Sequence, residues 1–145
     1  MDKASVLVIN GPNLNMLGAR EPDQYGDMTL DEICRKIKAH AEQKGILVEF
    51  FQSNMEGELI NRIQEAPARF SGIIINAGAY SHTSIAIRDA ILSIPVPVIE
   101  VHISNIYNRE GFRHHSYLAP VCAGSIVGFG YLSYIMALEY FVLSP

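Results

Sequence analysis

Residues 96–105 read Val-Pro-Val-Ile-Glu-Val-His-Ile-Ser-Asn, and the change of character within this stretch decides the fold. Its first half is β-branched and apolar, the composition of a strand buried on both faces in a parallel sheet. Its second half turns polar, so Glu100, His102, Ser104 and Asn105 fall where the strand runs out. Two further runs end in the same way, Val6-Leu-Val-Ile-Asn10 and Ile73-Ile-Ile-Asn76. In open α/β sheets, chemistry collects just outside the carboxyl ends of the strands. Three buried strands delivering polar groups to one edge are the pattern of a site.

Outward from that stretch, the chain alternates strands with helices. A first strand over 5–10 is followed by a long polar connection, and a connection of that length is usually a lid or binding loop. Thr29 and Glu32 have the spacing of a capping box. Behind them Leu30, Ile33, Ile37 and Ala41 keep helical spacing until Gly45 stops the helix. The pattern then predicts a strand over 47–52 and a helix over 56–66, with Leu59, Ile60 and Ile63 inward and Pro67 just beyond its end. A strand over 72–76, a turn over 77–80 and a helix over 84–94 precede the strand quoted first. A second long polar connection over 103–120, a short strand over 123–128 and an apolar helix over 130–143 complete the chain. The expectation is one domain, 1–145, of class α/β: a flavodoxin-like five-stranded parallel sheet, order 2-1-3-4-5, with helices on both faces. The strand order reverses between strands one and three, so the loops after strands one, three and four should share one crevice.

With 145 residues and 49% hydrophobic content, the chain can bury a sizeable core. Its net charge of −4 argues against nucleic acid, which requires a basic face. A few arginines in one cleft can still attract an anionic small molecule. Cys34 and Cys122 lack metal-type spacing and read as reduced thiols of a cytoplasmic protein. No apolar run reaches the ~18 residues of a membrane span and no signal peptide is evident, so neither membrane nor export is expected.

Nucleotide-binding motifs are absent, since residues 11–18 contain neither G-x-G-x-x-G nor G-x-x-x-x-G-K-[ST]. Asn10 stands where a phosphoacceptor domain would want acidic residues. His102, His114 and His115 lack regular ligand spacing, so no metal is expected, and no G-x-S-x-G elbow surrounds Ser81, Ser84 or Ser104. Taken singly, Asn10 and Asn13 can simply close a turn, His82 can cap a helix and Tyr80 can be core. Their combination with nearby charges says more. A phenol, ordinarily titrating near pH ~10, becomes a useful base at neutral pH when a cation stabilises the phenolate. Arg20, five residues before Tyr25, can supply that cation. His102, at a strand end, suits a general acid, and Arg109 and Arg113 can hold a carboxylate. A tyrosinate base, a histidine acid and a carboxylate clamp suggest proton abstraction beside a carbonyl and loss of a hydroxyl as water, without a cofactor.

These residues stand in longer motifs: Asn10-Gly-Pro-Asn-Leu-Asn15, Arg20-Glu-Pro with Tyr25-Gly26, Gln52-Ser-Asn, Glu56-Gly-Glu-Leu59, and Gly78-Ala-Tyr80 with His82-Thr-Ser84. They continue through Arg88-Asp89, Glu100-Val-His-Ile-Ser-Asn105, Phe112-Arg-His-His-Ser116 and Gly128-Phe-Gly130. In these motifs and over nearly its whole length, the chain resembles the type II 3-dehydroquinate dehydratases. The resemblance implies cofactor-free anti elimination of water from 3-dehydroquinate, through an enolate, to give 3-dehydroshikimate in the shikimate or quinate pathway. It implies that Tyr25 is the base, held ionised by Arg20. It further implies that Asn13 helps hold a water that stabilises the enolate and that His102 protonates the leaving hydroxyl. Asn76, His82, Ile103, Ser104 and Arg113 would contact substrate, and Asp89 would reach it from a neighbouring subunit of a dodecamer built from trimers. Glu100 would orient His102, with Arg109 in a supporting place. Ala77, Met55, Asn108 and Gly111 depart from the family's common residues, and none of them removes a catalytic group. The competing expectation, from another class, is a non-catalytic flavodoxin-like module for an anionic metabolite or nucleotide, which would need neither Tyr25 nor His102.

Overall fold

A computed structural model describes residues 4–19 and 21–144. Five parallel strands form one sheet in the order β2-β1-β3-β4-β5, the order expected from the sequence. They are β1 (Ser5–Asn10), β2 (Leu47–Gln52), β3 (Gly72–Asn76), β4 (Val98–His102) and β5 (Gly124–Val127). Every residue of β3 and β4 is buried, as are five of the six in β1. This accounts for their near-continuous apolar runs. β4 begins two residues later than its composition suggests. Pro97 has no N–H for the ladder, and only its carbonyl takes part, accepting from the Ile73 amide.

The helices are α1 (Pro22–Tyr25), α2 (Leu30–Lys44), α3 (Glu56–Glu65), α4 (Ile85–Leu92) and α5 (Leu132–Leu143). Alternate residues of the central strands serve opposite faces of the sheet. Val6, Val8, Ile74, Ile99 and Val101 pack with Ile33, Ile37, Ala41, Ala137 and Leu138, from α2 and α5. Leu7, Ile9, Ile73, Ile75 and Val98 pack with Leu59, Ile63, Ile87 and Ile91, from α3 and α4. Truncating Leu59 or Ile63, both fully buried, to alanine would cost about 2–5 kcal/mol each.

Local chemistry sets the helix ends. The Thr29 hydroxyl accepts from the Glu32 amide and donates to the Glu32 carboxylate, so Glu32 meets the capping hydroxyl itself. Gly45 closes α2 in the left-handed conformation, φ 74°. Ser84, expected inside a helix over 84–94, instead caps it by accepting from the Ile87 amide, and α4 is shorter at both ends. On α4, Ile87, Ala90 and Ile91 face the core while Ile85 and Leu92 are each 56% exposed. The apolar surplus of this helix is therefore not buried within the chain.

Candidate active site

The loops after β1, β3 and β4 meet at the carboxyl edge of the sheet, around a cavity of about 160 Å³. Pro12, Asn13 and Leu14 line it from the first loop, and Asn76, Gly78, Ala79 and His82 from the second. The third contributes His102, Ile103, Ser104, Ile106, Arg109 and Arg113, and Tyr25 closes the ring. The first two loops touch because of glycine. The Gly11 amide donates to the Asn76 carbonyl at 2.7 Å, and a Cβ on Gly11 would lie 2.5 Å from the Ala77 carbonyl oxygen.

One wall is carried by β4. Glu100 is 1% exposed, and a charge so buried requires partners. His102 Nε2–H donates to its carboxylate at 2.9 Å, Ser116 Oγ at 2.6 Å and Ser125 Oγ at 2.7 Å. Burial pushes the Glu100 carboxyl up, but the hydrogen bond and charge of His102 and the two hydroxyls outweigh it, leaving the group below its ordinary value. With Nε2 committed to Glu100, His102 has Nδ1 left for chemistry. The His82 ring stacks on His102 with centroids 6.0 Å apart, and its Nδ1–H donates to the His115 carbonyl at 2.8 Å. Burial lowers the His82 pKa, helped by His102 and Arg113 and opposed by the His115 carbonyl and Glu100. The lowered value favours the neutral imidazole, in which Nδ1 carries the proton given to the His115 carbonyl.

A second wall joins two distant loops. Tyr25 is half-buried, and Arg109 Nη1 donates to its hydroxyl at 2.7 Å and to Ser104 Oγ at 3.4 Å. The Arg109 side chain is 5% exposed, with Glu21 and Glu110 carboxylates 3.7 and 3.8 Å from its nitrogens. Its backbone carbonyl accepts from His114 Nε2–H. Arg109, expected to support the site, therefore lines the cavity and touches the phenol directly. Arg20 lies outside the described residues.

Of the other expected residues, Asn13 adopts φ 68°, donates its backbone N–H to Asn54 Oδ1 and closes the turn with its own carbonyl, which accepts from the Met16 amide. Ile103 and Ser104 are buried at the cavity, and Arg113 reaches it while its Nε donates to Glu110. Asp89 does not line this cavity; its side chain is exposed on α4 beside Arg88. Sequence reasoning missed Ser116, Ser125 and Tyr134. The strand register would have found Ser125, since it pairs with Glu100 across β4 and β5.

A histidine bonded to a buried, hydroxyl-clamped carboxylate lines one cavity with an arginine-paired tyrosine, a combination suited to acid–base chemistry. The profile of the family Dehydroquinase class II matches residues 4–142. A 3-dehydroquinate dehydratase of Campylobacter lari is 60% identical over 133 residues, covering 92% of this chain and 83% of that protein. The 3-dehydroquinate dehydratase 2 of Pseudomonas aeruginosa is 54% identical, covering 94% and 93%. The crystal structure of a type II dehydroquinase from Butyrivibrio crossotus superposes with a TM-score of 0.94 at 50% identity, over 96% of this chain and 97% of that one. Sequence, strand order and crevice agree, and the chain belongs to the class II dehydroquinases.

Proposed function

We propose that this chain is a 3-dehydroquinate dehydratase, a hydro-lyase that forms 3-dehydroshikimate through an enolate without a cofactor. The observation that carries the mechanism is the 2.7 Å bond from Arg109 to the Tyr25 oxygen, in a cavity whose β4 wall presents His102. Tyr25, as phenolate, takes a proton from C2, beside the C3 ketone, and the electron pair moves onto the ketone oxygen. A guanidinium donating to the phenol oxygen stabilises the negative charge the base must carry. Arg20 shares that task, and Asn13 holds the water that stabilises the enolate oxygen. The enolate then collapses, C1=C2 forms, and the C1–O bond breaks. His102 gives its Nδ1 proton to the departing hydroxyl, which leaves as water. Glu100, held as a carboxylate by the Ser116 and Ser125 hydroxyls, orients the imidazole and stabilises its protonated form before the transfer. Asn76, His82, Ile103, Ser104 and Arg113 grip the substrate. Arg113 supplies a planar fork suited to its carboxylate.

The same reading includes assembly and location. Exposed Ile85 and Leu92 flank an Asp89 that stands away from its own cavity, which supports a trimer in which Asp89 completes a neighbour's site, and a dodecamer of such trimers. Both cysteines are free, in keeping with a cytoplasmic enzyme. The test of the activity is to add 3-dehydroquinate to EDTA-treated protein and follow the absorbance of the conjugated enone. Turnover is expected. No signal would overturn the reading, and metal-dependent turnover would overturn its cofactor-free part.

A further inference from the structure

The register of the sheet sets Asn10 directly beside Asn76, so the last residues of the two central strands are neighbours at the edge of the cavity. Both are buried, 1% and 3% exposed. Between them lies a third polar group that comes from the far end of the chain, the phenol of Tyr134 on α5. Its oxygen is 2.9 Å from Asn76 Nδ2 and 2.6 Å from Asn10 Oδ1, and the residue is wholly inaccessible. The dehydration mechanism makes no use of it.

The direction of these bonds follows from one backbone group. The Gly78 N–H can only donate, and it lies 3.1 Å from the Asn76 side-chain oxygen. That fixes Asn76 Oδ1 toward Gly78 and Nδ2 toward Tyr134. The phenol oxygen must then accept from Asn76, and its single proton goes to Asn10 Oδ1. Burial raises the Tyr134 pKa far above the ordinary value, opposed only by the Asn76 bond, so the group stays a neutral phenol able to play both parts. The Asn76 amide is held on two sides, and its second Nδ2 hydrogen is a donor that this cavity-lining residue can offer a ligand.

We propose that Tyr134 is a positioning residue for substrate, locking Asn76 so that it presents an N–H donor to a hydroxyl or carboxylate oxygen in the cavity. The proposal rests on the dehydratase reading for the identity of the ligand alone. Removing the phenol takes away the acceptor that holds Nδ2, and the amide is then free to swing out of line. A residue of this kind acts on binding through Asn76. A merely structural tyrosine would act on the whole site.

A double-mutant cycle separates the two, with Y134F, N76A and the double variant compared with wild type on 3-dehydroquinate, alongside thermal unfolding of each. Y134F is expected to raise KM about fivefold to twentyfold with kcat within about twofold, the mark of lost uniform binding. In the N76A background the same change should move KM by less than about twofold, while still lowering the unfolding temperature because Asn10 Oδ1 is left without its donor. Equal KM factors in both backgrounds, or no KM effect in either, would overturn the proposal. Should Y134F not fold, N10A gives a second cycle against N76A, because it removes the acceptor that aims the phenol proton. Additive KM effects there would overturn the proposal as well. Inactive wild type would sink the dehydratase reading, whereas active wild type with additive cycles would sink the role of Tyr134 alone.

Discussion

The two walls of the cavity are built differently. His102 ends a fully buried strand, and its carboxylate partner takes three hydrogen bonds from β4, β5 and the loop between them. Tyr25 ends a one-turn helix in a long connection, is half-buried, and meets an arginine 84 residues away. The His102 side, the acid of the proposed mechanism, is preorganised by the core of the sheet. The Tyr25 side, the base of the proposed mechanism, is assembled where two loops meet. Damage to the acid wall should therefore register in both stability and activity, and damage to the base wall in activity alone.

The largest expected effect lies on the base wall. Tyr25→Phe should reduce turnover by about 10²- to 10⁴-fold with unfolding temperature nearly unchanged, checked by steady-state kinetics and thermal denaturation. A large fall in stability would break the contrast between the walls. Next comes Glu100→Gln, which keeps the shape but replaces a carboxylate oxygen by a donor facing donors. It should lower turnover about tenfold to a hundredfold and also destabilise the fold by several kcal/mol. A stable but slow Glu100→Gln would show that the acid wall is not part of the folding core.

Arg109→Lys sharpens the base side. A lysine keeps the charge but cannot span Tyr25 and Ser104 as the guanidinium does, so kcat should fall about tenfold or more with little change in unfolding temperature. The smallest effect is a pH shift. The folded Glu100 carboxyl lies below its ordinary value, so its stabilisation is present above the unfolded pKa, near 4.5, and is lost as pH falls through the folded one. Ser125→Ala removes one donor, raises the folded value and should move the acid-unfolding midpoint upward by less than about one pH unit. A midpoint that moves downward would contradict the sign.

The sheet was legible because buried parallel strands carry their own signature, β-branched runs that end abruptly in Asn10, Asn76 and His102. The crevice followed from the strand order. Element ends were less legible, because they turn on single groups, the missing amide of Pro97 and the capping hydroxyl of Ser84. Long-range partners were legible least. Arg20, near Tyr25 in sequence, was expected to supply the cation and lies outside the described residues, while nothing local in the sequence ties Arg109 to Tyr25. Tyr134 lies between Tyr131, just before α5, and Tyr140 within it, and only tertiary packing shows which phenol is buried against Asn10 and Asn76.

The division of labour between the walls is tested most directly by proton NMR of 3-dehydroquinate in deuterated water with the His102→Ala and Tyr25→Phe variants. The acid variant should still exchange the C2 hydrogen for deuterium faster than it releases product, because the base wall is intact and only the departure of water is impaired. The base variant should show neither exchange nor elimination above the uncatalysed rate. Exchange at the wild-type rate in Tyr25→Phe would contradict the assignment of Tyr25 as the base.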